Sequence, residues 1–88
     1  MSDEKKVILV IARQDKVEAL RMASGLTLLD DQVLVDVVGE LADNDETALQ
    51  LEALEFAEVP VTNVDPVTEV GLERLADDIL RSDVVYLI

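Results

Sequence analysis

The chain has 88 residues, of which half are hydrophobic and only two are aromatic, and its formal net charge is −13. This charge disfavours nucleic acids and anionic membrane surfaces as partners, because both attract basic proteins. The chain has no cysteine and no histidine, which excludes disulfides, thiol catalysis, imidazole acid–base chemistry and ordinary zinc sites. We therefore expect one small domain over residues 1–88, without a catalytic residue, a metal or a cofactor.

The first quarter of the chain predicts a buried strand followed by a helix. The unbroken apolar run Val7–Ala12 is typical of a strand covered on both faces. Asp15 is placed to cap the helix that follows, and Asp30–Asp31 is expected to close it. Gly25 interrupts this helix, and we expect it to mark close packing of the helix against the sheet.

A second strand and a second helix follow. The apolar run Val33–Val38 predicts a strand, and Asp36 within it suggests an edge strand whose carboxylate faces water. A phosphoacceptor role for Asp36 is disfavoured, because no further acids follow the first strand. Asp43–Glu46 predicts the start of the second helix, and Pro60 cannot continue it.

The last third predicts a short strand, a helix and a final strand. Val61–Val64 forms the third strand, and Asp65–Pro66 is expected to begin the third helix. Val84–Ile88 forms the fourth strand. The third helix has the most regular apolar face of the chain, made by Leu72, Leu75, Ala76, Ile79 and Leu80.

The resulting order, βαβαβαβ, indicates an α/β fold with a four-stranded parallel sheet. We expect a small flavodoxin-like three-layer sandwich with strand order 2-1-3-4. Such a sheet has two edge strands, and edges invite pairing with another chain. The sequence therefore favours a protein that forms oligomers.

Ligands of open α/β sheets bind outside the carboxyl ends of the strands, where the strand order reverses. In the order 2-1-3-4, this position lies between the first and third strands. The polar or flexible residues predicted there are Arg13, Gln14, Gly39, Asn63 and Asp65, with Glu40 nearby. They favour a small-ligand or anion sensor as the alternative function, with Arg13 as the cation. The simpler interpretation is that Arg13 pairs with a neighbouring acid.

Other motifs are incomplete. A calcium loop beginning at Asp43 would require glycine and glutamate where the chain has Ala48 and Leu54. The three glycines are far apart, so no phosphate-binding loop is predicted. An enzyme with Glu40 or Asp65 as general base is disfavoured, because too few other polar groups are predicted nearby.

No signal peptide or membrane-spanning run is evident, and we expect a cytoplasmic protein.

The final third also resembles a known family. The residues that carry the resemblance are Gly71, Leu72, Leu75, Ala76, Leu80, Asp83 and Val85. The strand Val61–Val64 precedes them. It resembles the DsrE/DsrF/DsrH (TusD/TusC/TusB) sulfur-relay family, and the resemblance spans nearly the whole chain. The resemblance implies small α/β subunits that form homo-oligomers or hetero-oligomers with related subunits.

Some members of this family hold a persulfide on a cysteine at the end of the third strand. The corresponding position here lies at or beside Asn63, and the chain has no cysteine. The missing cysteine and the short segment before the last helix resemble the small DsrH/TusB-like subunits. The resemblance thus implies a non-catalytic subunit acting through assembly in intracellular sulfur transfer.

Overall fold

The structure, a computed structural model, describes residues 6–29 and 31–88. Four strands alternate with three helices: β1 (Val7–Ala12), α1 (Lys16–Leu26), β2 (Gln32–Val38), α2 (Asp45–Phe56), β3 (Val61–Val64), α3 (Glu69–Arg81) and β4 (Val84–Leu87). All neighbouring strands pair in parallel, so the predicted α/β class is confirmed. Within the described ranges, no helix is sufficiently long and apolar to cross a membrane.

The strand order is 3-2-1-4, and the expected order 2-1-3-4 is wrong. β3 returns beside β2 instead of crossing β1, so β1 and β2 become the inner strands. These two are also the longest and most buried strands, whereas β3 and β4 have four residues each and lie at the edges.

Helices cover both faces of the sheet, as a three-layer sandwich requires. The first two connections run in one direction along the sheet and the third runs back. Right-handed crossovers therefore place α1 and α2 on one face and α3 on the other. The larger core lies beneath α1 and α2 and includes Val10, Val35, Leu20 and Leu54. The smaller core, on the α3 face, consists of Leu9, Ile11 and Leu34 with Leu75 of α3 packed against it.

Helix α1 begins at the predicted capping residue. The Asp15 carboxylate accepts a hydrogen bond from the backbone N–H of Glu18 at 3.4 Å, which confirms Asp15 as the cap of α1. A Cβ added at Gly25 would meet no atom within 4 Å, so the expected close packing of Gly25 against the sheet is wrong. The predicted closure of this helix falls partly on Asp30, which lies outside the described residues.

The third helix begins later than expected. Thr68 caps it, accepting a hydrogen bond from the Gly71 N–H at 3.0 Å. Asp65 belongs to the preceding turn, where its carboxylate accepts a hydrogen bond from the Val67 N–H at 3.0 Å. A Cβ at Gly71 would approach the carbonyl oxygen of Asp65 within 1.9 Å. Only glycine therefore fits where the helix passes this turn.

The end of α2 is fixed by a left-handed residue that is not glycine. Glu58 has φ 60°, its N–H donates to the Glu55 carbonyl at 3.0 Å, and the Val59 N–H donates to the Leu54 carbonyl at 2.9 Å. Leu54 and Val59 both join the larger core. These bonds and the apolar contact define a Schellman motif, in which glycine is the usual left-handed residue.

We expect Glu58→Gly to raise the free energy of unfolding by about 0.5–1 kcal/mol, because glycine adopts a positive φ without a steric penalty. Urea unfolding followed by circular dichroism measures the change. Glu55→Gly is the matched control, and we expect it to destabilise the chain because Glu55 lies within the helix. An unchanged or lower stability of Glu58→Gly would contradict the strain assigned to this position.

Candidate functional site

Three of the five predicted site residues come together at the carboxyl end of the sheet. Gly39, Asn63 and Asp65 line an open crevice of about 470 Å³, together with Glu40 and Val64. The crevice lies at the ends of β2 and β3, which are neighbours in the observed strand order. The sequence therefore identified part of a real concavity.

The polar groups of this crevice hold the surrounding loops in place. The Asn63 amide donates to the Gly39 carbonyl at 2.9 Å, and Gly39 has φ 87°, a conformation that favours glycine. The nearby cation is Lys16, whose ammonium donates to the Glu40 carbonyl at 2.9 Å. Glu40 and Asp65 both line the crevice, and their negative charges disfavour anion binding here.

Arg13 and Gln14 lie elsewhere along the same end of the sheet. Their backbone N–H groups both donate to the Ile88 carbonyl, each at 2.9 Å. This oxygen lies beside the ends of β1 and β4, where the observed strand order reverses. β2 separates β1 from β3, a spacing of about 10 Å. The expected convergence of Arg13 with Asn63 in one crevice is therefore wrong.

The most unusual polar group of the described structure is Asp36. Its expected position on a water-facing edge is wrong, because β2 is an inner strand and only 1% of Asp36 is exposed. Asp36 lies on the sheet face covered by α3, where Asp78 of α3 is 2% exposed. Arg74 donates from Nε to Asp78 at 3.0 Å, and Nη1 of Arg81 lies 3.6 Å from the same carboxylate.

The surroundings of the two carboxyl groups favour one proton shared between them. Burial, a hydrogen bond with Asp78 and the negative charge of Asp78 raise the pKa of Asp36 to about 7, although Arg74 and Arg81 oppose the shift. Burial also disfavours ionised Asp78, but its bonds with Asp36 and Arg74 and the two arginine charges outweigh burial, so the pKa of Asp78 is lowered. Asp36 Oδ2 is buried and has no hydrogen-bond partner, which adds to the cost of ionising this carboxyl group.

This cluster joins β2, β3 and α3. Nη2 of Arg74 donates to the Thr62 hydroxyl of β3 at 3.2 Å, and a small cavity of about 170 Å³ adjoins Asp36, Thr62, Arg74, Asp78 and Arg81. The cluster can hold a proton and fix α3 on the sheet. Sequence reasoning missed Asp78, although an aspartate inside an apolar strand requires a buried partner.

The apolar face of α3 is largely exposed. Leu75 is half-buried, but Leu72, Ile79 and Leu80 are exposed, and Leu80 is 82% exposed. The helix turns Gly71 and Asp78 towards the sheet instead. The buried carboxyl pair therefore occupies a position on the sheet that an apolar stripe usually takes.

Part of this stripe lies on the flank of α3 that faces away from β3. Arg74 donates to Thr62 of β3, so one flank of α3 faces β3. The opposite flank faces the side of the sheet that holds β1 and β4. Val85 and Leu87 of β4 pair with Leu9 and Ile11, so they lie on the same sheet face as α3. We call the combined exposed surface the α3/β4 face; it comprises Leu72, Ala76, Ile79, Leu80, Val85 and Leu87.

Among the residues that the structure describes, β4 lies at the end of the sheet and pairs only with β1, so its outer edge has no partner strand. No protein-family model, curated protein or solved structure matches the chain. Membership of the DsrE/DsrF/DsrH family consequently stays a prediction from the sequence pattern.

Proposed function

We propose that this chain is a non-catalytic, DsrE/DsrH-like subunit that acts by assembling with a second copy of itself through the α3/β4 face. The proposal is supported by the exposed apolar side chains of α3 and by the outer edge of β4, which is unpaired in the described part of the chain. Contiguous exposed apolar surface and free strand edges are both typical of protein interfaces.

A second copy offers this face the same apolar chemistry. The six side chains of the α3/β4 face are all uncharged, so they bring no charge of their own into the interface. A two-fold dimer uses the same patch twice and needs only self-complementarity. The small core beneath α3 also gains from additional burial, because domains of this size bury only about 60–65% of their unfolded surface.

The sulfur-relay context rests on the resemblance of the final third of the sequence to that family. Since the chain has no cysteine, it cannot hold a persulfide itself. We propose that it serves sulfur transfer in the cytoplasm as a structural subunit, with any persulfide held by a related subunit.

Charge insertion tests the interface. We expect the unmodified chain to have twice the chain mass of 9.7 kDa in size-exclusion chromatography with light scattering. Leu80→Glu and Val85→Glu should each reduce the mass to that of one chain, because a buried unpaired carboxylate is costly. Leu49→Glu is the matched control, since Leu49 is exposed on α2 on the other side of the sheet. A dimer that persists in both α3/β4 variants would refute the assigned interface.

A further inference from the structure

Helix α2 has a second apolar face that the fold does not use. Its inward side places Leu54 in the core. On the opposite side, Leu49 is 63% exposed and Phe56 is 92% exposed, with exposed Ala53 between them. These three residues, which we call the outer stripe, are spaced at i, i+4 and i+7 and therefore lie on one side of the helix. With Glu52 they line a shallow groove of about 330 Å³.

The charges of α2 all have one sign. The helix contains Asp45, Glu46, Glu52 and Glu55 and has no lysine or arginine. Glu46 pairs with Arg21 of α1 at 2.6 Å, whereas Glu52 lies in the groove itself. Two copies of this surface would bring carboxylates against carboxylates, so a second α2 is a poor occupant.

We infer that the outer stripe binds a basic amphipathic helix of another protein. Such a helix offers apolar side chains to Leu49, Ala53 and Phe56, and lysine or arginine side chains to the flanking carboxylates. An apolar stripe with anchors at these spacings is the usual footprint of helix-on-helix recognition, and an exposed aromatic residue is a typical anchor. The outer stripe and the α3/β4 face lie on opposite sides of the sheet, so both can be occupied together.

Fluorescence anisotropy tests this inference on the full chain. The probe is a labelled synthetic amphipathic helix made of leucine and lysine. We expect saturable binding that Phe56→Ser weakens about tenfold, as loss of an aromatic anchor does. Val70→Ser is the matched control on α3, because Val70 is 76% exposed and lies outside the α3/β4 face. We expect it to change the affinity by less than about twofold. Glu52→Gln should weaken binding several-fold at low salt and less at high salt.

Phe56 has almost no contact area within the fold, so Phe56→Ser should keep the thermal melting curve of the unmodified chain. Leu49→Ser provides a second test of the same surface. Absence of saturable binding would overturn the inference. Equal affinity of Phe56→Ser, Leu49→Ser and Val70→Ser would also overturn it, because the peptide would then bind through charge alone. Neither result depends on whether the chain is a dimer.

Discussion

The free energy of unfolding should fall as the pH rises from about 4 to about 8, by an amount on the order of 4 kcal/mol. In the unfolded chain the Asp36 carboxyl ionises with its ordinary pKa of 3.8, whereas in the folded chain its pKa is about 7. Between these values the folded state binds more protons, so rising pH favours unfolding. The stabilising contribution is complete below the unfolded pKa and is lost as the pH passes the folded pKa.

Asp36→Asn should remove most of this dependence. The asparagine amide can donate to Asp78 as the protonated acid does, and it does not ionise. We expect the variant to match the unmodified chain near pH 4 and to exceed its stability by about 2–4 kcal/mol near pH 8. Urea unfolding at several pH values measures this, with exposed Asp77→Asn as the control. Parallel stability curves for the unmodified chain and Asp36→Asn would contradict the shared proton.

Asp78→Ala should have the opposite effect and lower the free energy of unfolding by about 2–4 kcal/mol. The substitution removes the acceptor of Asp36 and leaves Arg74 and Arg81 without the carboxylate that they contact. The pKa of Asp78 is lowered in the folded chain, so its ionised form should contribute stability above the ordinary aspartate pKa. That contribution should be lost only as the pH falls through the lowered pKa.

Urea unfolding near pH 6 compares Asp78→Ala with Asp77→Ala. Asp77 is the neighbouring residue of α3 and is exposed, so we expect its loss to change stability by less than about 0.5 kcal/mol. Similar values for the two variants would show that Asp78 does not hold α3 on the sheet.

Local patterns predicted the elements of this fold well. The apolar runs placed β1 and β3 with the observed bounds, and Asp15 caps α1 as its spacing with Glu18 indicates. These features depend on neighbouring residues. The alternation of strands and helices then determined a parallel sheet, because parallel strands require crossover connections.

Strand order was harder to predict, because it depends on contacts between distant segments. Asp36 favoured an edge position for β2, yet its partner Asp78 lies 42 residues later and makes burial possible. The length of the strands was a better indicator: β3 and β4 have four residues each and form the edges. The wrong order also misplaced Arg13, which lies two strands from Asn63.

The apolar stripe of α3 is visible in the sequence as a pattern, but its exposure is not. Periodicity shows which residues share a side of a helix, but it does not show which side packs on the sheet. Here Gly71 and Asp78 turn inwards and Leu80 remains exposed. Phe56 on α2 is likewise exposed although its residue type suggests burial.

Sedimentation equilibrium of the unmodified chain over a range of micromolar concentrations tests the proposed assembly most directly. We predict a mass of twice 9.7 kDa, with dissociation to single chains only on dilution. A mass of 9.7 kDa at every concentration would contradict a second copy on the α3/β4 face.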